Sequence, residues 1–205
     1  MKKKFALLLF CGFLTLSIQA QNFGGGIILG LSTSQVGGDD LAGFKKAGLL
    51  VGFFANKKIL ESLSFQMEMT FIQKGSNNPD MNDFEHKNYN FPDISSSYIE
   101  VPLLLQYHQN NKLIIEGGMQ LAYLIDGYYN DSYGRLENGN SFIQYDFGLL
   151  LGVDYKYSEK ISLNTRLSNS IIPIGVEDHE VINSYNSSKK GRYNTVLSFS
   201  IHYNL

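Results

Sequence analysis

Apolar and polar residues alternate along most of the chain, which is the period of β-strands and not of helices. The contrast is sharpest from Leu63 to Ile72. Leu63, Phe65, Met67, Met69 and Phe71 share one face, and Ser64, Gln66, Glu68 and Thr70 share the other. The last stretch reads the same way, with Tyr193, Thr195, Leu197, Phe199, Ile201, Tyr203 and Leu205 opposed by Asn194, Ser198, Ser200, His202 and Asn204. Weaker alternation predicts six further strands near Phe23–Gln35, Lys46–Ala55, Ser97–His108, Lys112–Asp126, Phe142–Tyr157 and Lys160–Ser170. The expected fold is all-β, with eight strands in sequence.

Alternation alone fits two architectures. A soluble sandwich or lipocalin buries its apolar face, whereas a membrane barrel turns that face to lipid and keeps polar and small residues inside. Three features favour the membrane barrel. The strands run to ten residues or more, against a usual ~5–6 in soluble proteins, and a tilted strand needs ~9–11 to cross a bilayer. The connections alternate in length: Asn56–Glu61, Gln109–Asn111 and Ser158–Glu159 are short, while Val36–Lys45, Gly75–Ser96, Gly127–Ser141 and Ile171–Arg192 are long and polar. Finally, Tyr107, Tyr123, Tyr145, Tyr155, Tyr157, Tyr193 and Tyr203 fall near strand ends on the apolar face, where interfacial girdles belong. A bare strand edge in hydrocarbon leaves unsatisfied amides and carbonyls, so the strands must close on themselves. The prediction is an eight-stranded antiparallel up-and-down transmembrane β-barrel, narrow enough for side chains to fill it. Both termini then fall on the short-turn, periplasmic side.

The start of the chain sets the compartment. Met1 is followed by Lys2, Lys3 and Lys4, then by an apolar run from Phe5 to Ile18, then by Gln19 and Ala20. This is the order of a secretory signal, and the run is too short to span a bilayer as a helix. Residues 1–20 are read as a signal peptide and 21–205 as the outer-membrane barrel domain. Cys11, the only cysteine, lies inside that run, so disulfides, thiol catalysis and cysteine metal sites are excluded from the mature chain. Removing the leader takes three of the 17 basic residues and none of the 19 acidic ones, so the formal net charge moves from −2 to about −5. With no basic block, nucleic acid is excluded as a partner.

Several stretches resemble the PorT-type outer-membrane β-barrel family of Bacteroidetes, whose architecture is similar to OmpX and to the OmpA transmembrane domain. Tyr98-Ile99-Glu100-Val101-Pro102-Leu103-Leu104-Leu105-Gln106-Tyr107 resembles its fourth strand. Leu63 to Met69, with Lys74-Gly75, resembles its third strand and loop entry. Gly117-Gly118 and Phe147-Gly148-Leu149-Leu150-Leu151-Gly152 are similar to its next two strands. The resemblance covers nearly all of the mature chain. It implies the barrel fold, no catalytic residues, and a role that in one family member is secretion through the type IX system.

Candidate chemistry is sparse. Glu68, Glu100, Glu116, Asp146, Asp154 and Arg166 all fall on the predicted inner face. Ionisable groups at membrane depth suit a proton or ion relay. They equally suit a lumen network anchored by Arg166 that packs a narrow barrel, and this structural reading is preferred. Pro102 inside a strand cannot donate to the ladder and predicts a bulge or a missing bond at an inward position. His86, His108, His179 and His202 have no metal-ligand spacing, so no metal or other cofactor is expected. No serine–histidine pair recurs on a strand near the outer rim, so no catalytic site is assigned. The long loops hold Asp39-Asp40, Asn77 to Asn90, Tyr128-Tyr129, Tyr133 and Asp178 to Tyr185, which suit adaptable protein contacts.

The leading expectation is a non-catalytic integral outer-membrane protein acting through its extracellular loops in adhesion, assembly or type IX secretion. Its partners are outer-membrane lipid, the barrel-assembly machinery during insertion, and a protein at the loops. A lipid-modifying enzyme with a rim site and a soluble periplasmic ligand-binding barrel are the alternatives.

Overall fold

A computed structural model describes residues 23–38, 41, 43–80, 92–136, 142–176 and 191–205. The expected signal peptide with Cys11, the Asp39-Asp40 pair, residues 81–90 of the Asn77 to Asn90 stretch with His86, and His179 with the stretch from Asp178 to Tyr185 lie outside the described residues.

Eight long strands follow one another: β1 (Phe23–Gly37), β2 (Lys46–Leu60), β3 (Leu63–Ser76), β4 (Asp93–His108), β5 (Leu113–Asp131), β6 (Tyr145–Lys156), β7 (Ile161–Ser170) and β8 (Gly191–Asn204). Each pairs antiparallel with its neighbour in sequence, and β8 closes on β1 through a ladder from Gly26↔Asn204 to Gly37↔Tyr193. The result is a closed eight-stranded barrel without free edges. Leu31, Phe53 and Leu151 on the outer wall are 63%, 67% and 70% exposed, whereas the inward Asp146 is 0% exposed. This inversion of the usual soluble pattern follows from the period of two once the apolar face is turned outward.

The short turns are built locally. Asn110 Oδ1 accepts from the backbone amides of Lys112 and Leu113, both at 2.8 Å. Ser158 Oγ accepts from those of Lys160 and Ile161, at 3.3 and 3.0 Å. Asparagine and serine favour such side-chain-to-backbone turns. At the opposite end the chain extends further as strand than its polarity predicts. β4 begins at Asp93 instead of Ser97, and β5 continues to Asp131 instead of stopping at Asp126. Gly134–Arg135 folds back on β5, and Gly175–Val176 pairs with β8.

Two irregularities matter. The β3–β4 ladder runs to Met67↔Leu103 and resumes at Thr70↔Glu100 in the same register. Pro102 therefore interrupts pairing without inserting a residue, which is the missing-bond alternative. The bulge lies elsewhere. Between Ser97↔Asp126 and Tyr98↔Leu124 the β4–β5 register slips by one, leaving Ile125 as the extra residue. A bulge reverses which alternate residues face inward. Beyond it, Tyr129 is turned into the lumen, 4% exposed.

Candidate functional site in the barrel lumen

The inner faces of eight strands converge on a lumen narrow enough for side chains from opposite walls to meet. Most of those side chains are polar, so each must find partners in the interior. Most of the charged ones gather in two ionic clusters.

The first centres on Arg166 of β7. Its Nη1 and Nη2 donate to the two oxygens of Glu68 on β3, at 2.8 and 3.0 Å. Its Nε and Nη2 donate to Glu116 Oε1 on β5, at 2.9 and 2.7 Å. The planar guanidinium thus spans the lumen and clamps two carboxylates, a geometry that its fixed fork of donors allows and a lysine's point charge does not. Amides fill the remaining acceptor positions. Asn164 donates to Glu116 at 2.8 Å, Gln106 to Glu116 at 3.1 Å, and Gln66 to Glu68 at 2.7 Å. Space for Glu116 comes from Gly152 on the neighbouring strand, where an added Cβ would sit 2.8 Å from Glu116 Oε1 and 3.0 Å from the Thr165 carbonyl.

The second cluster centres on Lys74 of β3. Its ammonium pairs with Glu100 of β4, and with Asp146 of β6 at 3.4 Å. It also lies 5.1 Å from the centre of the Tyr98 ring, within cation–π range. Gln120 donates to Glu100 at 3.4 Å and Asn194 to Asp146 at 3.1 Å. Along β3, Ile72 separates Glu68 of the first cluster from Lys74 of the second. Ile72 belongs to an apolar layer with Ile28, Leu50, Phe54, Tyr98, Ala122 and Val196.

The long-loop end carries a further apolar seal of Val36, Ile94, Tyr129 and Ile174, with Phe142 packed against it. Tyr129 stacks on Phe142 at 4.9 Å, and Arg192 Nη1 donates to the Tyr129 hydroxyl at 2.8 Å. The short-turn end is different. There the lumen opens into a cavity of about 580 Å³.

The six inner-face residues singled out by sequence are therefore not one network. Glu68, Glu116 and Arg166 meet in one cluster, and Glu100 and Asp146 in the other. Asp154 lies towards the short-turn end, 3.7 Å from His202 Nδ1. The resemblance places Lys74 at the entry to a loop, which leaves these acids a single base, Arg166. The lysine instead continues the inward series Ser64, Gln66, Glu68, Thr70, Ile72 of β3, and that parity was the available signal. Tyr129 was missed for a harder reason, since the bulge at Ile125 reverses the parity that would have located it. Of the histidines, His108 shares a 2.7 Å hydrogen bond with Ser64, and His202 stacks on Phe54 at 5.4 Å. Among the described residues, no group of three metal-ligating side chains comes together.

A closed barrel with an apolar outer wall and a packed polar lumen is a transmembrane β-barrel. The sequence matches the outer membrane protein β-barrel domain family over residues 19–175, and the chain belongs to that family. It is thus an integral outer-membrane protein. Among solved structures it is similar to Ail, the attachment invasion locus protein of Yersinia pestis, with 8% identity and a TM-score of 0.52, covering 90% of this chain and 100% of that one. Neisserial surface protein A is also similar, with 13% identity and a TM-score of 0.50, covering 90% of this chain and 98% of that one. At these identities the likeness is one of fold. Comparison with curated proteins gives no match by sequence.

Proposed function

We propose that this protein is a non-catalytic outer-membrane component of the PorT type that works through its long loops, in adhesion, assembly or type IX secretion. In this reading both termini are periplasmic and the long loops face outward. Its partners are membrane lipid around the wall, the assembly machinery during insertion, and a protein at the loops. The observation that carries it is the filled lumen. Two ionic clusters, an apolar layer and an apolar seal occupy the barrel on the long-loop side. A wall facing lipid and a lumen filled by these groups among the described residues favour the loops as the surface for recognition.

The test combines three measurements. Protease added to intact cells should cut the long loops and spare the short turns. Deleting the loops one at a time should abolish co-purification of a membrane or surface partner while the barrel stays inserted. Deletion of the whole gene should impair release of type IX cargo if the role is in secretion. Cleavage confined to the short turns would reverse the orientation. An altered lipid A mass profile in the deletion strain would favour an enzyme instead.

A further inference from the structure

The cavity at the short-turn end is not explained by a packed structural core. Its volume, about 580 Å³, falls within the ~300–1,000 Å³ usual for small-molecule sites. Among the described residues, the Arg166 cluster and the apolar groups beyond it lie between this cavity and the long-loop end.

Its lining is polar in a particular way. Lys58 of β2, Lys112 before β5 and Lys156 at the end of β6 all face it. Three lysines from three parts of the wall thus line one cavity, in a chain whose formal net charge is −2. Two carboxylates also belong to the lining, Asp154 and Glu159. Asp154 is 3% exposed and sits beside His202, and Glu159 lies in the β6–β7 turn. The lysines therefore outnumber the acids. Asn56, Asn111, Asn204 and Ser162 add polar side chains to the lining, and Phe54 and Tyr157 add aromatic ones. Amides and hydroxyls both donate and accept, which suits a ligand carrying several hydroxyl groups. Aromatic rings offer an apolar face to such a ligand, and lysines supply point charges for an anion.

We propose that this cavity is a binding site for a small hydroxylated anion, of the sugar-acid or sugar-phosphate class, held by Lys58, Lys112 and Lys156. Under the orientation proposed above it is filled from the periplasm, but the chemistry does not depend on the loops or on that orientation. A rim built from lysines makes binding sensitive to ionic strength, because partly exposed charges are screened.

The test uses the full barrel purified from membranes in detergent and titrated calorimetrically with glucose 6-phosphate, galacturonate and glucose. Saturable binding of either anion, weakened by salt, with glucose binding much more weakly, is the expected result. Binding of the phosphate alone or of the carboxylate alone identifies which anion the site takes. The Lys58→Gln, Lys112→Gln, Lys156→Gln triple variant should lose roughly tenfold or more in affinity, the scale of one charge-assisted hydrogen bond. Its heat-modifiable gel mobility, which reports the folded barrel, should be kept. If the triple variant does not fold, the three single variants are titrated in its place, and each should weaken anion binding. Glucose binding as tightly as the anions, absence of saturable binding to both anions, or unchanged affinity in the folded lysine variants would overturn the proposal.

Discussion

Replacing Arg166 by alanine tests the lumen most directly. The side chain makes four hydrogen bonds, between 2.7 and 3.0 Å, to Glu68 and Glu116. These acids are 2% and 1% exposed. Without the guanidinium, two buried carboxylates face each other across a gap, supported only by Gln66, Gln106 and Asn164. Removing one partner of a buried ion pair costs ~3–5 kcal/mol, most of it from the charge left behind. A loss of ~4 kcal/mol is a large share of a typical folding stability of ~5–15 kcal/mol. For a chain of this size it lowers the thermal midpoint by about 8–16 °C. The assay is the temperature at which the heat-modifiable band converts to the unfolded one, together with urea unfolding in lipid. Adding Glu68→Gln and Glu116→Gln to Arg166→Ala removes the stranded charges and should restore roughly half the loss, since removing both partners of a buried polar pair is far milder than removing one. An unfolding free energy for the single variant within ~1 kcal/mol of the parent would refute the clamp. A triple variant as unstable as the single one would show that Arg166 matters as volume and not as charge.

Other consequences can be measured on the same preparation. Lys74→Met strands Glu100 and Asp146 and should cost ~3–5 kcal/mol in urea unfolding, with partial recovery when Glu100→Gln is added. Gly152→Ala places a methyl group against Glu116 and the Thr165 carbonyl, and should destabilise the barrel by ~1–3 kcal/mol by overpacking. Leu151→Lys puts a charge on the lipid-facing wall and should lose up to ~2–4 kcal/mol on insertion into vesicles while leaving the lumen intact. Tyr129→Ala removes the centre of the apolar seal and should cost ~3–5 kcal/mol. It should leave planar bilayers without steady conductance, because both ionic clusters still block the passage.

Local chemistry explains what could be read without coordinates. The faces of β3 and β8 were legible because alternation there is nearly unbroken, and the polar identity of Glu68, Glu116 and Arg166 marked the lumen from the start. Charge balance in the lumen was not legible. Five acids share the predicted inner face with Arg166 alone, and the second base, Lys74, is supplied by the inward continuation of β3. Strand ends at the long-loop side were misjudged because Ser95, Ser96 and Tyr128 read as loop residues by type, while backbone pairing carries the ladder through them. The separation of two clusters depends on which strands meet across the lumen, a consequence of closure that no single segment encodes. The cavity at the short-turn end arises in the same way, from residues contributed by seven strands and two turns.

The ladder between β1 and β8 has a kinetic meaning. It joins Ile27 to Tyr203, so the contact that seals the barrel spans nearly the whole described chain. Contacts of such sequence separation form slowly, because a long loop must be closed before they reward it. Until residues 191–204 are in place, β1 and β7 both present open edges, which are templates for pairing with other chains. A hydrocarbon environment rejects those edges, so partial barrels cannot accumulate there as stable intermediates. Whatever escorts this chain to the membrane must therefore keep two edges apart that are among the first and last to emerge, and release them together.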